Sequence, residues 1–209
     1  MPYHLGMVPE LEVILVRHSE AVLPGVGDHT EDGRPLTATG ERQARDITAR
    51  LVAIAPRAIL SSPYKRAVQT VQETAIRLGL EIRLLNDLRE WHSGLRPEDD
   101  WEPHYLHCWN NPHFALPGGE TQHDTRARAV AVLDHIRDAY RSTAGTLVLA
   151  SHGTWITLAL DSIGTHVDYS FWRSMPMPAV YRLILEPSGQ WWAIAGPGIP
   201  NYSDKDRQP

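Results

Sequence analysis

Val13-Ile14-Leu15-Val16 is an unbroken run of β-favouring apolar residues, bounded by Glu12 and by Arg17-His18. A strand that is apolar on both sides of its pleat must bury both faces. That is the condition of an interior strand in a parallel sheet covered by helices above and below. The rest of the chain fits this frame. Thr37 is a good N-cap, and Ala44, Ile47, Leu51 and Ile54 recur at helical spacing, with Arg42, Arg45, Asp46 and Arg50 opposite them. A second strand is expected over 58–61. It leads through Ser62 into a helix with Pro63 in its first turn, an apolar stripe of Val68, Val71, Ala75 and Leu78, and Gly79 at its end. A third strand is expected over 81–85. Ala129, Leu133, Ile136 and Tyr140 mark a long helix that begins near Thr121. A strand over 146–150 and a helix over 154–163, closed by Gly164, come next. Runs 179–185 and 191–195 flank Pro187-Ser188-Gly189 and read as a hairpin.

Strands alternating with helices imply an α/β fold, a three-layer α/β/α sandwich with a mainly parallel central sheet. The 209 residues suit one domain, with an insertion at about 91–118 and a loose, Pro-rich tail from about 197. Residues 88–120 have no clear period and are loaded with Trp, His, Pro and Gly, and read as an insertion with one short helix. No stretch approaches the roughly 20 apolar residues that cross a bilayer, and the start lacks the basic and apolar regions of a signal peptide. Cys108 is the one cysteine, so no internal disulfide forms and a cytoplasmic location is expected. The formal charge of −5 argues against nucleic acid as a partner. It leaves room for a small anion, because a few converging arginines make a local positive pocket. Neither a membrane nor a nucleic-acid partner is expected, and oligomeric state has no signal here.

In parallel sheets the ligand site lies beyond the carboxyl ends of the strands. Those exits carry Arg17-His18, the segment from Ser62 to Arg66, Glu90, and Ser151-His152-Gly153. A lone histidine at a strand end is ordinarily a turn or capping residue. Several exits presenting groups useful for one reaction are another matter, and the reaction they suit is phosphoryl transfer. A phosphate monoester carries about two negative charges, so cations and donors must surround its oxygens. Arg17 and Arg66 supply planar forks, a neutral imidazole attacks phosphorus, and a carboxylic acid at Glu90 protonates the leaving alkoxide. His152 and the backbone N–H groups around Gly153 add donors at a helix start.

Val16-Arg17-His18-Ser19-Glu20 resembles the Arg-His-Gly-Glu motif of the histidine phosphatase superfamily, which includes the cofactor-dependent phosphoglycerate mutases. Leu36-Thr37-Ala38-Thr39-Gly40-Glu41-Arg42-Gln43-Ala44 is similar to its Leu-Thr-x-x-Gly-x-x-Gln-Ala opening. Ser61-Ser62-Pro63-Tyr64-Lys65-Arg66-Ala67-Val68-Gln69-Thr70 resembles its Ser-Ser-Pro-x-x-Arg-Ala-x-Gln-Thr segment. Leu88-Arg89-Glu90, Pro117-Gly118-Gly119-Glu120-Thr121 and Ser151-His152-Gly153 complete the series in the family's order. The resemblance implies a phosphoglycerate mutase-like fold, His18 as the phosphorylated residue, and Arg17, Arg66 and His152 as the phosphate pocket. It implies Glu90 as proton donor and later as base for water. It implies no metal and no organic cofactor, and a small phosphorylated substrate.

The pattern breaks in places. Ser19 replaces the motif glycine, where a Cβ is a handicap if the backbone needs φ > 0. Alternatively Ser19 adds a phosphate donor. Ala21 stands where the family commonly has threonine, and Pro24 where many members carry a phosphate-binding asparagine. In the insertion, Trp91, His92, Trp101, Tyr105 and Trp109 read either as a cap over the leaving group or as a satellite core under a long loop. His104, His107, Cys108 and His113 match no strong metal spacing, and Cys108 reads as a buried apolar residue. Phosphatase is the favoured activity. Mutases of the family usually carry Glu-Arg-x-x-Gly at the acid, and Glu90-Trp91-His92-Ser93-Gly94 lacks that arginine. A non-catalytic phosphate-binding module is the remaining alternative.

Overall fold

The computed structural model describes residues 11–140, 142 and 145–199. The start of the chain, whose composition argued against a signal peptide, lies outside the described residues, as does the tail beyond 199. Strand β1 (Leu11–Arg17) contains the apolar run, and Val13, Leu15 and Val16 have no measurable exposure. It is followed by α1 (Ala38–Ile54), β2 (Ala58–Ser61), α2 (Lys65–Leu78) and β3 (Ile82–Leu84). A 3-10 turn (Asn86–Leu88), α3 (Trp101–Asn110), α4 (Gln122–Tyr140), β4 (Gly145–Ser151) and α5 (Gly153–Ser162) come next. The described chain closes with α6 (Tyr169–Ser174), β5 (Ala179–Leu185) and β6 (Trp191–Ala195). Among the described residues, no helix is long and apolar enough to cross a membrane.

The strands form a single sheet in the order β3-β2-β4-β1-β5-β6. β3, β2, β4 and β1 are mutually parallel, because helices carry the chain back between them. The hairpin of β5 and β6 is antiparallel, and β5 also runs antiparallel to β1. Strand period sorts the core into two layers. Ile14, Val16, Ile59, Val148 and Ala150 meet Ile47 and Leu51 of α1 and Val71 and Ala75 of α2. On the other face Val13, Leu15, Leu147 and Leu149 meet Leu133 and Ile136 of α4 and Trp155 and Ile156 of α5. Each such aliphatic side chain contributes about 1.5–3 kcal/mol by leaving water.

Several boundaries differ from the sequence expectation. Pro63 precedes α2: Tyr64 is the N-cap in an extended conformation, and its N–H donates to Ser62 Oγ at 3.2 Å. The chain needs this turn to redirect from the sheet before a helix can start. The insertion holds one helix, α3, begun by Asp100, whose side chain accepts from Glu102 N. Helix α6 carries no period that the sequence reveals. Ile199 is buried, and its N–H donates to Gly196 O at 3.0 Å, so the chain turns back on the core at 196–199.

Motif residues of α1 and α2 clamp the segment that leaves β1. Thr37 N donates to Glu20 O at 3.1 Å, and Thr37 Oγ1 donates to Glu20 Oε1 at 2.6 Å. Glu20 N donates to Gln43 Oε1, Leu36 N to Gln69 Oε1 and Ser19 N to Thr70 Oγ1, each at 2.9 Å. Gly40 lies so close that a Cβ there would sit 1.9 Å from Glu20 O. Ser19 and Glu20, the two residues that follow His18, are therefore held by both helices on that side of the sheet.

Candidate active site

β1 and β4 pair with Arg17 opposite Ser151, so His18 and His152 leave neighbouring strands side by side. Their ring centroids are 5.2 Å apart, edge to face at 63°. His18 is buried, and its backbone N–H donates to Ser151 O at 3.1 Å. Nδ1 lies 2.7 Å from Ser19 O, and Nε2 lies 3.2 Å from Arg66 Nε. A guanidinium N–H can only donate, so Nε2 carries the lone pair and Nδ1 carries the proton. Burial, then the positive charge of Arg66, pushes the His18 imidazole well below its ordinary range, with Arg17 and Arg34 acting in the same direction. The group is a neutral base with a fixed tautomer.

Arg66 enters from the first turn of α2 and is 1% exposed. Its Nη1 donates to Glu31 O at 2.7 Å and its Nη2 to Glu31 Oε1 at 2.8 Å. Arg17 enters from the end of β1 on the α5 side. Its Nη1 donates to Met175 O and, at 3.5 Å, to Pro176 O, while Nε has no partner. Burial lowers the pKa of both guanidiniums. Glu90 opposes this at Arg17, and Glu31 opposes it at Arg66.

His152 is fully buried as the N-cap of α5. Its Nε2 lies 2.8 Å from Ser62 Oγ, and Nδ1 has no partner. The tautomer in which the Ser62 hydroxyl donates to Nε2 leaves the proton on Nδ1, where it can donate to a bound anion. Burial and then Arg66 hold this imidazole neutral as well. Glu90 leaves the 3-10 turn and lies against the start of α5. Its Oε1 accepts Trp91 N at 2.8 Å and Trp155 N at 3.3 Å, and its Oε2 accepts Thr154 N at 3.4 Å. The first-turn amides of α5, expected to face phosphate beside Gly153, thus hold Glu90 in this structure. A Cβ at Gly153 would lie 3.2 Å from Trp172 Nε1 and 3.3 Å from Arg17, so either side chain would have to give by a few tenths of an ångström.

Ser19 is fully buried beside the nucleophile, and its hydroxyl has no hydrogen-bond partner. Its φ is not positive, since Ala55 is the only non-glycine residue in that region among the described residues, so serine costs no backbone strain. Ala21 is buried and bridges to Leu36, and Pro24 is exposed.

The insertion turns out to hold both a small core and an aromatic wall. Trp91 is buried, donates through Nε1 to Glu120 O at 2.5 Å and stacks on His104. Tyr105 of α3 packs against Trp91, Trp101 and Trp172. Its hydroxyl, bonded to Ser93, is raised by burial and then by the charge of Glu90. Trp101 and Trp109 also meet Trp172. His92 is exposed, and its carbonyl, not its ring, takes part by accepting Glu120 N at 2.7 Å. Cys108 is buried, with Sγ 3.6 Å from His104 Nε2. Among the described residues no group of three or more His, Cys, Asp or Glu side chains is arranged to hold a metal.

Three residues at this site escaped the sequence reading. Glu31 lies between Arg66 and Arg34, accepting Arg34 Nη2 at 2.6 Å and Arg34 Nε at 2.8 Å. The signal was present as an acid and an arginine three apart, just before Pro35-Leu36-Thr37. Trp172 of α6 brings an indole N–H with no partner to the edge of Arg17 and Gly153. Nothing local in its sequence marks it.

The sequence model of the histidine phosphatase superfamily (branch 1) matches residues 13–199. A probable phosphoglycerate mutase GpmB of Photorhabdus laumondii is 30% identical over 154 residues, covering 68% of this chain and 70% of the relative. The corresponding protein of Shigella dysenteriae is 29% identical over 169 residues, covering 73% and 74%. Among solved structures, a mycobacterial glucosyl-3-phosphoglycerate phosphatase in complex with VO3 superposes with a TM-score of 0.71 at 22% identity, covering 87% of this chain and 96% of that one. A phosphoserine phosphatase of Entamoeba histolytica with phosphoserine bound gives a TM-score of 0.68 at 19% identity, covering 89% and 96%. The chain belongs to the histidine phosphatase superfamily (branch 1).

Proposed function

We propose that this protein hydrolyses a small phosphate monoester through a phosphohistidine on His18. The observation that carries the reading is the locked imidazole: Nδ1–H on Ser19 O, and the Nε2 lone pair turned to Arg66. Substrate phosphoryl oxygens take the donors of Arg66, Arg17, His152 Nδ1 and the Ser19 hydroxyl, and Arg66 Nε–H moves from Nε2 to an oxygen. The freed Nε2 attacks phosphorus. The N–P bond forms as the ester P–O bond breaks, and Glu90 gives its proton to the leaving alkoxide. Glu90 then takes a proton from water, which attacks phosphorus. The N–P bond breaks, inorganic phosphate leaves, and His18 is neutral again. Glu90 lies on the α5 start beside Arg17, and the wall of Trp101, Tyr105 and Trp172 supplies the apolar surface for an organic leaving group.

The relatives named probable phosphoglycerate mutases favour a second reading, in which the phosphoryl group returns to another hydroxyl of the substrate. The residue after Glu90 argues against it. Trp91 is committed to the core of the insertion and offers no cation to a substrate carboxylate.

The test is hydrolysis of p-nitrophenyl phosphate, with a chelator present, by wild type and His18→Ala. We expect chelator-resistant activity that falls at least about a thousandfold in the variant, together with loss of the acid-labile, alkali-stable phosphoryl label that a phosphohistidine carries. Hydrolysis that survives His18→Ala would remove His18 from the mechanism. Interconversion of phosphoglycerates without net hydrolysis would favour the mutase.

A further inference from the structure

We propose that Glu31 is an internal competitor for the phosphate cradle, whose return to Arg66 and Arg34 drives out product phosphate. This rests on the reading of Arg66 and His18 as the phosphoryl site. A carboxylate already occupies part of that site. Glu31 Oε1 accepts from Arg34 Nη2 at 2.6 Å and from Arg66 Nη2 at 2.8 Å, and Oε2 accepts from Arg34 Nε at 2.8 Å. Two guanidiniums holding one carboxylate is the arrangement they offer to two oxygens of a phosphoryl group.

The position of Glu31 is built in. Gly33 N donates to Thr30 O at 3.0 Å, closing a turn around Glu31, and Lys65 N donates to Asp32 O at 2.9 Å. That second bond ties the turn to the start of α2, one residue before Arg66. The acid and the arginine therefore share a single junction. Glu31 O also takes Arg66 Nη1 at 2.7 Å, so the guanidinium is held in the orientation that places Nε on His18 Nε2. In this state the nucleophile's lone pair is covered. Phosphoryl binding must loosen the carboxylate and uncover Nε2 together.

The exchange is feasible in energy. Glu31 is about half exposed, with a side-chain accessibility of 45%, so the displaced carboxylate re-enters water nearby. A phosphoryl dianion brings more charge and more oxygens than one carboxylate and displaces it. After hydrolysis the same carboxylate, tethered by a short turn, competes at high effective concentration for the arginines and favours release. A competitor of this kind raises the apparent dissociation constant of every anion by a common factor, the reciprocal of the fraction of cradle left open.

The measurement is calorimetric titration of inorganic phosphate, and separately acetate, into wild type, Glu31→Gln and Arg66→Ala at about pH 8, where the second phosphate proton is lost. Thermal melts accompany each to verify folding. The expected result is phosphate binding about tenfold tighter in Glu31→Gln, with acetate strengthened by a similar factor. Glu31→Gln that binds phosphate no more tightly than wild type overturns the competitor role and leaves Glu31 a positioning residue for Arg66. Phosphate binding undiminished in Arg66→Ala overturns the cradle itself, a separate failure.

Discussion

Trp172 brings a buried indole N–H to the edge of Arg17 and Gly153, and neither that N–H nor Arg17 Nε has a partner. Both are donors only, so the one group that satisfies them together is an acceptor, and a phosphoryl oxygen is such a group. Trp172→Phe keeps a ring against Tyr105 and Trp109 and deletes the donor. Calorimetry with inorganic phosphate should give a roughly ten- to a hundredfold weaker dissociation constant, the worth of one hydrogen bond to a charged group. An unchanged constant would assign Trp172 to packing alone. At this scale the sequence was informative where the chain itself brings groups to a strand exit, as with His18, Arg66 and His152. It was silent on Trp172, because α6 lies more than 150 residues from Arg17 and its contact with Gly153 is made only by the folded sheet.

The elements around β1 explain why the motif residues are the ones they are. Thr37, Gly40 and Gln43 of the α1 opening, with Thr70 of α2, hold Ser19 and Glu20, the two residues that follow His18, and Gln69 holds Leu36 beside them. Gly40 is there for space and not for φ. A methyl group 1.9 Å from Glu20 O must push α1 off the segment that carries the nucleophile. Gly40→Ala is expected to lower unfolding free energy by about 2–4 kcal/mol in urea denaturation, with activity falling further than stability. Stability within about 0.5 kcal/mol of wild type would mean the segment yields freely. Helices and strands with a steady apolar period were legible to within a residue or two. Pro63 misled, since a proline beside a helix start fits both the first turn and the turn before it. The insertion was illegible because its side chains pack on one another and on α6, so no single-element period records them.

Across the whole molecule, the sandwich places two imidazoles in its interior as neutral groups. The sign of the pH dependence follows. His18 and His152 are held well below 6.5 when folded and regain ordinary basicity when unfolded. Above about pH 6.5 neither state binds the protons, and nothing is lost. As pH falls below that value the unfolded chain takes up protons the folded chain refuses, so stability declines until the folded-state pKa is reached. The pair should cost about 3 kcal/mol at about pH 5.5, read as the loss between urea titrations at pH 7.5 and 5.5. His152→Asn should remove about half of it, and an equal loss in that variant would place the titration elsewhere. The parallel strands were readable from alternation of strand and helix. The order β3-β2-β4-β1-β5-β6 was not, because which strands become neighbours is decided by helix packing across the sheet.

The register of β1 against β4 has one more consequence. Parallel strands lie about 4.8 Å apart wherever they occur, a distance fixed by the peptide hydrogen bond. The 5.2 Å between the His18 and His152 rings is close to that repeat, as expected for residues one step beyond a paired Arg17 and Ser151. The gauge between the two imidazoles is thus set by main-chain bonding, which side-chain replacement elsewhere leaves untouched. On the proposed reading of residues 91–118 as a leaving-group wall, that segment is expected to be exchangeable without resetting this gauge, and a graft of it from a relative is the simplest way to test whether the preferred ester changes.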